Sequence, residues 1–390
     1  MSAALWAVAF PLFSTLGTHR FWGICAAIGY LGAAVAAGRL PWPRARVVSV
    51  GWALAGAAVV PFLWLVLTGS AQSEVGVIER SGTLLLQHGT PYLADPRTVH
   101  EYTPYLPGMA ALGLPRALFG DDGLLRPLGD SRVWCAVAFL GCLWAGRRVL
   151  RTSGGPGARL WDSSYGLPLA VLVASPVVAL PLCVSGVDLP LIGLLCLALA
   201  LAARHRPVEA GLVLAVACSL KWTAWPAVAV AVSLLAHASG RRAALRCAGA
   251  SLAGTAALVL PFVWSSAEAV VQQVFAFPTG RGALPTPASS PLPGRLLTDL
   301  GPAGRYAAVA LLLAGGLAVA VSLRIRPPHD VVSAADRLAA GLFLAFLLAP
   351  AGRFGYLALP VVLAVWARLS GAERHTAVSR PPAPSVPIAA

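Results

Sequence analysis

The chain has 390 residues, 58% of them hydrophobic and only 11% charged, with a mean hydropathy of +0.76. A water-soluble chain carries roughly 25% charged residues, so these polar groups cannot cover a water-facing surface and lipid must be the solvent for much of the chain. The net charge of +14, from 29 Lys+Arg against 15 Asp+Glu, would suit nucleic acid in a soluble protein. Here the arginines punctuate apolar runs, which points to membrane topology and anionic lipid, with no nucleic-acid partner.

In chain order, Met1 to Gly17 is apolar but has no basic n-region and no clear small-x-small cleavage site, so it is not read as a cleaved signal peptide. An interfacial helix and a partial span both fit it. Runs long enough to cross a bilayer then fall near 21–38, 47–68, 132–150, 165–182, 187–203, 208–220, 222–238, 244–264, 303–323, 337–350 and 354–369. Lipid offers backbone groups no partner, so these about eleven spans are predicted as helices, and the alternating ten-residue segments of a barrel are absent. The expected fold is an all-α polytopic membrane protein: an N-terminal apolar segment with an additional span over 1–46, a transmembrane core over 47–369, and a disordered, proline-rich cytoplasmic tail over 370–390. Seven cysteines fall mostly in apolar runs without a CxxC pair or a Cys/His cluster, which reads as small buried hydrophobes.

Arginine placement orients the spans. The loops holding Arg39, Arg44 and Arg46, then Arg147 to Arg159, Arg204 and Arg206, Arg241 to Arg246, and Arg324 to Arg337 alternate along the chain and, with the tail from Arg368, are assigned to the cytoplasm. The opposite side then carries 69–131, 183–187, the joint at Lys221, 265–302 and 351–353. The 265–302 loop is dense in Pro and Gly, which excludes a regular helix there.

Carboxylates are scarce, yet Glu74, Glu79, Asp95 and Glu101 cluster in the first external segment. Val75, Ile78, Gly82, Leu85 and Leu86 stand at helical spacing, predicting an amphipathic helix in the interface that Gly89-Thr-Pro-Tyr92 ends. Asp95, His100, Glu101 and Tyr102-Thr-Pro-Tyr105 follow. A carboxylate at the membrane surface can deprotonate a hydroxyl nucleophile, and Glu74 is the leading candidate; solvated loop charge is the alternative for each. Asp188 has two readings, a helix N-cap with Pro190 in the first turn or a group lining a polar cavity. Lys221, the only lysine, lies on the side opposite the basic loops. It calls for an anionic partner such as phosphate, against simple snorkelling beside Trp222 and Trp225. Arg281 and Arg353 add cations on the same side. Asp95, Glu101, Asp121 and Asp122 leave a weakly bound divalent ion conceivable, although no metal motif is present.

These segments together resemble the GT-C glycosyltransferases, and within them the polyprenol-phosphate-mannose-dependent family 87 type, also described as the DUF2029 group. The resemblance runs over about 47–368 and rests on Glu74, Gly89-Thr-Pro-Tyr92, Tyr102-Thr-Pro-Tyr-Leu-Pro107, Gly186-Val-Asp188, Leu220-Lys-Trp-Thr-Ala-Trp-Pro226 and Ala349-Pro-Ala-Gly-Arg-Phe-Gly-Tyr356. The acidic position is commonly Asp in that family and is Glu74 here, and Tyr105 replaces the second proline of a Tyr-x-Pro-Pro-like element. The resemblance implies a lipid-linked sugar donor, mannose by expectation, and a glycolipid, glycan or protein acceptor. It implies an inverting transfer on the extracytoplasmic face of the plasma membrane, needing no cofactor, with Glu74 as base. Lys221 and Arg353 would hold phosphate, with Asp188, Arg281, Tyr102, Tyr105, His100 and Glu101 around the substrates. A transporter or flippase of a lipid-linked substrate, or a non-catalytic relative, is the alternative; transporters usually show internal repeats and mid-bilayer charges, and neither is evident.

Overall fold

The computed structural model describes residues 1–151 and 163–378. Among them the chain is all-α, with a single isolated bridge between Ser289 and Gly352 as its only strand-like pairing. Seven helices are long and apolar enough to cross a membrane: Gly17–Arg39, Trp42–Leu67, Ser131–Arg151, Trp222–Ser239, Arg241–Ser265, Pro302–Ile325 and Val331–Leu348. The expected span at 165–182 is a bent pair, Leu167–Ala174 and Pro176–Val184, meeting at 66°. Pro176 cannot donate to the turn before it, so the helix restarts at Ser175 in a new direction. The remaining three expected spans are shorter apolar helices: Leu189–Ala203, Pro207–Leu220 and Phe354–Ser370.

Leu189–Ala203 is buried along nearly its whole length, its side chains packed in one continuous core with those of Ser131–Arg151, Pro207–Leu220 and Val331–Leu348. A helix wrapped by other helices needs neither the length nor the lipid-facing surface of a peripheral span. The helix that follows Ala358 continues to Val378, past the expected start of the tail, and 379–390 lie outside the described residues, as does Arg159. Five of the seven cysteines are buried and all are free.

The N-terminal segment forms a 12-residue helix, Ser2–Phe13. At ~1.5 Å per residue it is roughly 18 Å long, well under a bilayer core of about 30 Å. It folds back on Gly17–Arg39 through Trp6, Phe10 and Trp22, whose rings meet edge to face. The Trp22 indole donates to the Ala57 carbonyl at 2.8 Å, inside a π-helical turn over Ala55–Val59. A π turn shifts its carbonyls off the i→i+4 ladder, and the indole takes up one of them.

One buried arginine ties neighbouring ends of three helices together. Arg132, in the first turn of Ser131–Arg151, is fully buried and pairs with Asp130 through Nε at 3.0 Å and Nη2 at 2.6 Å. Its remaining N–H groups donate to the carbonyls of Ser70 (2.8 Å), Cys183 (3.0 Å) and Leu65 (3.0 Å). These carbonyls lie in or just beyond the last turns of Trp42–Leu67 and Pro176–Val184, where intrahelical donors run out and a cation complements the helix dipole; the Leu65 carbonyl also accepts from the Ser70 N–H at 2.9 Å. The segments that leave those ends carry Glu74 and Asp188, so the clamp fixes their points of origin. Arg132→Met is therefore expected to lower stability by about 3–5 kcal/mol, because Asp130 is left buried and uncompensated. Unfolding of the detergent-solubilised protein checks this, and an unchanged midpoint would refute the clamp.

Candidate active site

Glu74 sits in the first turn of Ser73–His88, where the helix dipole favours a carboxylate. The helix forms as the apolar spacing predicts. Val75, Val77 and Ile78 are buried, with Val77 and Ile78 packed against Tyr105, Met109, Val187 and Leu220, and Gly89 ends it in the left-handed region at φ 70°. Its position is fixed at three points. Upstream, the Gln72 backbone N–H donates to the Val184 carbonyl at 2.9 Å and its amide meets His19 Nε2 at 3.2 Å. In the middle, Glu79 accepts from Arg116 Nε and Nη2 at 3.0 and 3.2 Å and from the Ser131 N–H at 3.0 Å. Glu79 is thus a structural anchor joining this helix to the start of the next span. At Gly82 the helix touches backbone: a Cβ there would stand 2.3 Å from the Gly113 carbonyl carbon.

Two ion pairs lie in the site. The Arg353 guanidinium donates to the Glu74 carboxylate, 279 residues away in the chain, and the Lys221 ammonium donates to Asp188. Asp188 stands at the N-cap of Leu189–Ala203, but its side chain makes no cap hydrogen bond. It faces the cavity and Lys221 instead, so of the two readings the cavity one describes its side chain. Lys221 interrupts the helix at extended dihedrals (φ −149°, ψ 139°), and its Nζ lies 4.7 Å from the Tyr105 ring centre and 6.0 Å from that of Tyr356. Electron-rich faces of this kind favour an ammonium. Lys221 is therefore neither snorkelling nor solvated. Arg353 is presented by a turn pinned to the Pro/Gly-rich loop: Gly352 N–H donates to the Ala288 carbonyl and Ser290 N–H to the Gly352 carbonyl, both at 3.0 Å, and Phe354 N–H to Ser290 Oγ at 3.3 Å.

Glu74, Asp188, Lys221 and Arg353 all line one cavity of about 1730 Å³. Tyr105, Tyr102 and His100 line it as well. Tyr102 stacks on Phe277 with ring centres 4.4 Å apart, and the Tyr105 carbonyl accepts from the Tyr92 hydroxyl at 2.9 Å. The backbone of this segment is held by Gln273, fully buried, which accepts from Thr103 N–H at 3.0 Å and donates to the Leu93 carbonyl at 2.6 Å. Away from the ion pairs the cavity wall is apolar and aromatic, with Trp6, Phe10, Phe21, Trp64, Val177 and Leu180.

Glu101 and Arg281 stand elsewhere. The Glu101 carboxylate closes its own 3₁₀ turn, accepting from Arg97 N–H at 2.6 Å and Thr98 N–H at 3.2 Å, and those two bonds hold its pKa below the usual carboxylate value. Arg281 is exposed, with Nε 3.2 Å from Thr279 Oγ1, and does not line the cavity. Asp95 pairs with Arg97 and Asp121 with Arg116. Among the described residues no three metal-ligating side chains converge. Within the 265–302 loop, helical turns occupy 267–279 and 293–299, correcting the expectation of no helix there, while the stretch richest in Pro and Gly between them is irregular. Gln72, His19, Gln273 and Ser290 had no sequence signal of their own.

Burial raises the Glu74 pKa above the ordinary carboxylate value, with Asp188 adding to the rise and Arg353 and Lys221 opposing it. Burial alone would lower the Lys221 pKa; the neighbouring Asp188 reverses this, and the ammonium is held above its usual value. Burial, with Glu74 and Asp188 nearby, keeps the Tyr105 phenol protonated far above its normal range. The cavity thus combines a carboxylate with an affinity for a proton, two cations, and a neutral phenol against the Lys221 ammonium.

Gly82→Val is expected to push Ser73–His88 off the Gly113 backbone and loosen the mounting of Glu74. Amide exchange should quicken in 73–88 while 302–325 is unaffected, and equal protection in both would show that the close approach is dispensable.

The model of glycosyltransferase family 87 matches residues 102–350. The match takes in Asp188 and Lys221; Arg353 lies just beyond its end, and Glu74 lies well before its start. No curated protein and no solved structure matches the chain.

Proposed function

The chain belongs to glycosyltransferase family 87, and from the premise of a membrane glycosyltransferase we propose the donor, the chemistry and the side of the membrane. The donor is a polyprenyl phosphate sugar, with mannose the expected sugar. The acceptor is a hydroxyl of a lipid, glycan or protein, and transfer takes place at the extracytoplasmic face of the plasma membrane with inversion. The observation that carries this reading is the shared cavity: one raised-pKa carboxylate and two cations open onto a wall of aromatic and aliphatic side chains.

Each substrate part has a chemical counterpart. A lipid phosphate needs cations, and Lys221 and Arg353 supply them. An isoprenoid chain needs apolar surface, and the wall from Trp6 to Leu180 offers it. An acceptor hydroxyl needs a base, and Glu74 is placed to act as one. The acceptor oxygen bonds to the anomeric carbon as that carbon's bond to the phosphate oxygen breaks; the electron pair stays with phosphate and the hydroxyl proton passes to Glu74. A single displacement of this kind inverts the anomeric centre. Asp188 holds Lys221 in place and orients the sugar side. The side of the membrane is supported by the arginines, which concentrate at the helix ends opposite those near Glu74 and Lys221.

Transfer from radiolabelled polyprenyl phosphate mannose to a membrane lipid extract, measured with the reconstituted protein, tests the proposal. Glu74→Gln is expected to reduce transfer about 10²- to 10⁴-fold with an unchanged unfolding midpoint. Because the Glu74 pKa is raised, the wild-type rate should fall on acidification at a pH above the ordinary carboxylate range, as the base fills with protons. Full activity in Glu74→Gln would remove the proposed base.

A further inference from the structure

The Glu74–Arg353 pair poses a chemical problem for the reaction just described. A carboxylate bound to a guanidinium is a weakened base, and a guanidinium bound to a carboxylate is a weakened phosphate ligand. The four charged groups of the cavity cancel as two pairs. The two pairs are not equivalent. Lys221 is held between the Tyr105 and Tyr356 rings, and its partner Asp188 takes no part in proton transfer. Apart from its pair with Glu74, Arg353 is held through the backbone around it, by the bonds of Gly352 and Phe354 to 288–290, while its side chain is 32% exposed at the cavity.

We propose, resting on the function argued above, that Arg353 changes partner in the course of each turnover: it holds Glu74 while that carboxylate is charged and passes to the departing phosphate once Glu74 has taken the acceptor proton. The charge balance of the step motivates it. The donor is a phosphodiester with one negative charge, and the released polyprenyl phosphate is a monoester that approaches two at neutral pH. The second charge appears as the bond to the anomeric carbon breaks. In the same step the Glu74 carboxylate becomes neutral. The cavity's net charge is unchanged, and one negative charge has moved from Glu74 to the phosphate oxygen. In a site of low effective dielectric a fixed cation would oppose that movement, whereas one that follows it keeps the pairing throughout. The planar fork of N–H groups on arginine suits either partner, carboxylate or phosphate. Burial, which already raises the Glu74 pKa, favours the neutral acid that lets the guanidinium go.

The handover predicts that neutralising Glu74 improves binding of the product while abolishing its formation. Farnesyl phosphate, a short isoprenyl monophosphate, is titrated into the purified full chain in detergent. Glu74→Gln is expected to bind it at least about tenfold more tightly than wild type, and Glu74→Gln/Arg353→Gln to lose that gain. The wild-type protein alone gives a second reading by calorimetry in buffers of different ionisation heat. At about pH 7.5, where the monoester is largely dianionic, its binding should draw in protons, up to about one per site, as Glu74 is neutralised. The monoanionic methyl ester of farnesyl phosphate should draw in fewer. Equal or weaker binding by a folded Glu74→Gln, a gain that survives in the double variant, or equal proton uptake for the two ligands would overturn the handover. If wild type transfers sugar but shows none of this, the handover alone falls; if no polyprenyl phosphate sugar serves as donor, the reading beneath it falls.

Discussion

The site depends on charge compensation inside a largely apolar molecule. An isolated carboxylate or ammonium removed from water is costly enough that it would shed its charge. Glu74 faces Arg353 and Asp188 faces Lys221, two opposite-charge pairs lining the same cavity. Sequence separation is irrelevant to this constraint. Glu74 and Arg353 stand at opposite ends of the chain, so the whole bundle must close before either has its partner.

The scaffold follows from that requirement. Arg132 gathers the ends of Trp42–Leu67 and Pro176–Val184 by donating to the carbonyls of Leu65, Ser70 and Cys183, and the segments bearing Glu74 and Asp188 start from those ends. Glu79 then ties Ser73–His88 to the first turn of Ser131–Arg151 through Arg116 and the Ser131 N–H. Arg132, Asp130, Glu79 and Arg116 do not line the cavity. They carry much of the site's precision because lipid-facing apolar packing, being weakly directional, cannot fix the orientation of a carboxylate. The irregular stretch around 288–290 has a similar place in the design. Its backbone pairs with the turn that presents Arg353, so a segment that reads as unstructured supports a cavity-lining cation.

The fold was largely legible because lipid imposes a simple rule: apolar segments of sufficient length must be helical. All eleven expected spans correspond to helices. What the rule does not reach is length where protein replaces lipid as the neighbour. Leu189–Ala203 is too short for an ordinary span and is surrounded by other helices, and the Ser175–Pro176 break turns one apolar run into two helices. The helical turns at 267–279 were missed because the proline and glycine signal of the following stretch was extended over them. For the site, composition and side of the membrane singled out Glu74, Asp188, Lys221 and Arg353 as unusual residues for their surroundings. Their pairing was not legible, since a charge that calls for a partner does not say which partner. Glu101 and Arg281 carried the same signal and have local uses, a turn cap and an exposed threonine contact. The supporting groups Gln273 and Gln72 are ordinary amides in sequence, and only their burial and bonding give them meaning.

The N-terminal hairpin lies outside the family-matched residues and nevertheless contributes to the cavity. Trp6, Phe10 and Phe21 complete its apolar wall beside Trp64, and His19 reaches Gln72 next to the start of the Glu74 helix. The matched segment holds Asp188 and Lys221, while Glu74, its partner Arg353 and part of the apolar wall come from the flanking chain. The cavity is thus built jointly, from side chains inside the matched segment, Tyr102, Tyr105, Asp188 and Lys221 among them, and from the chain on either side of it.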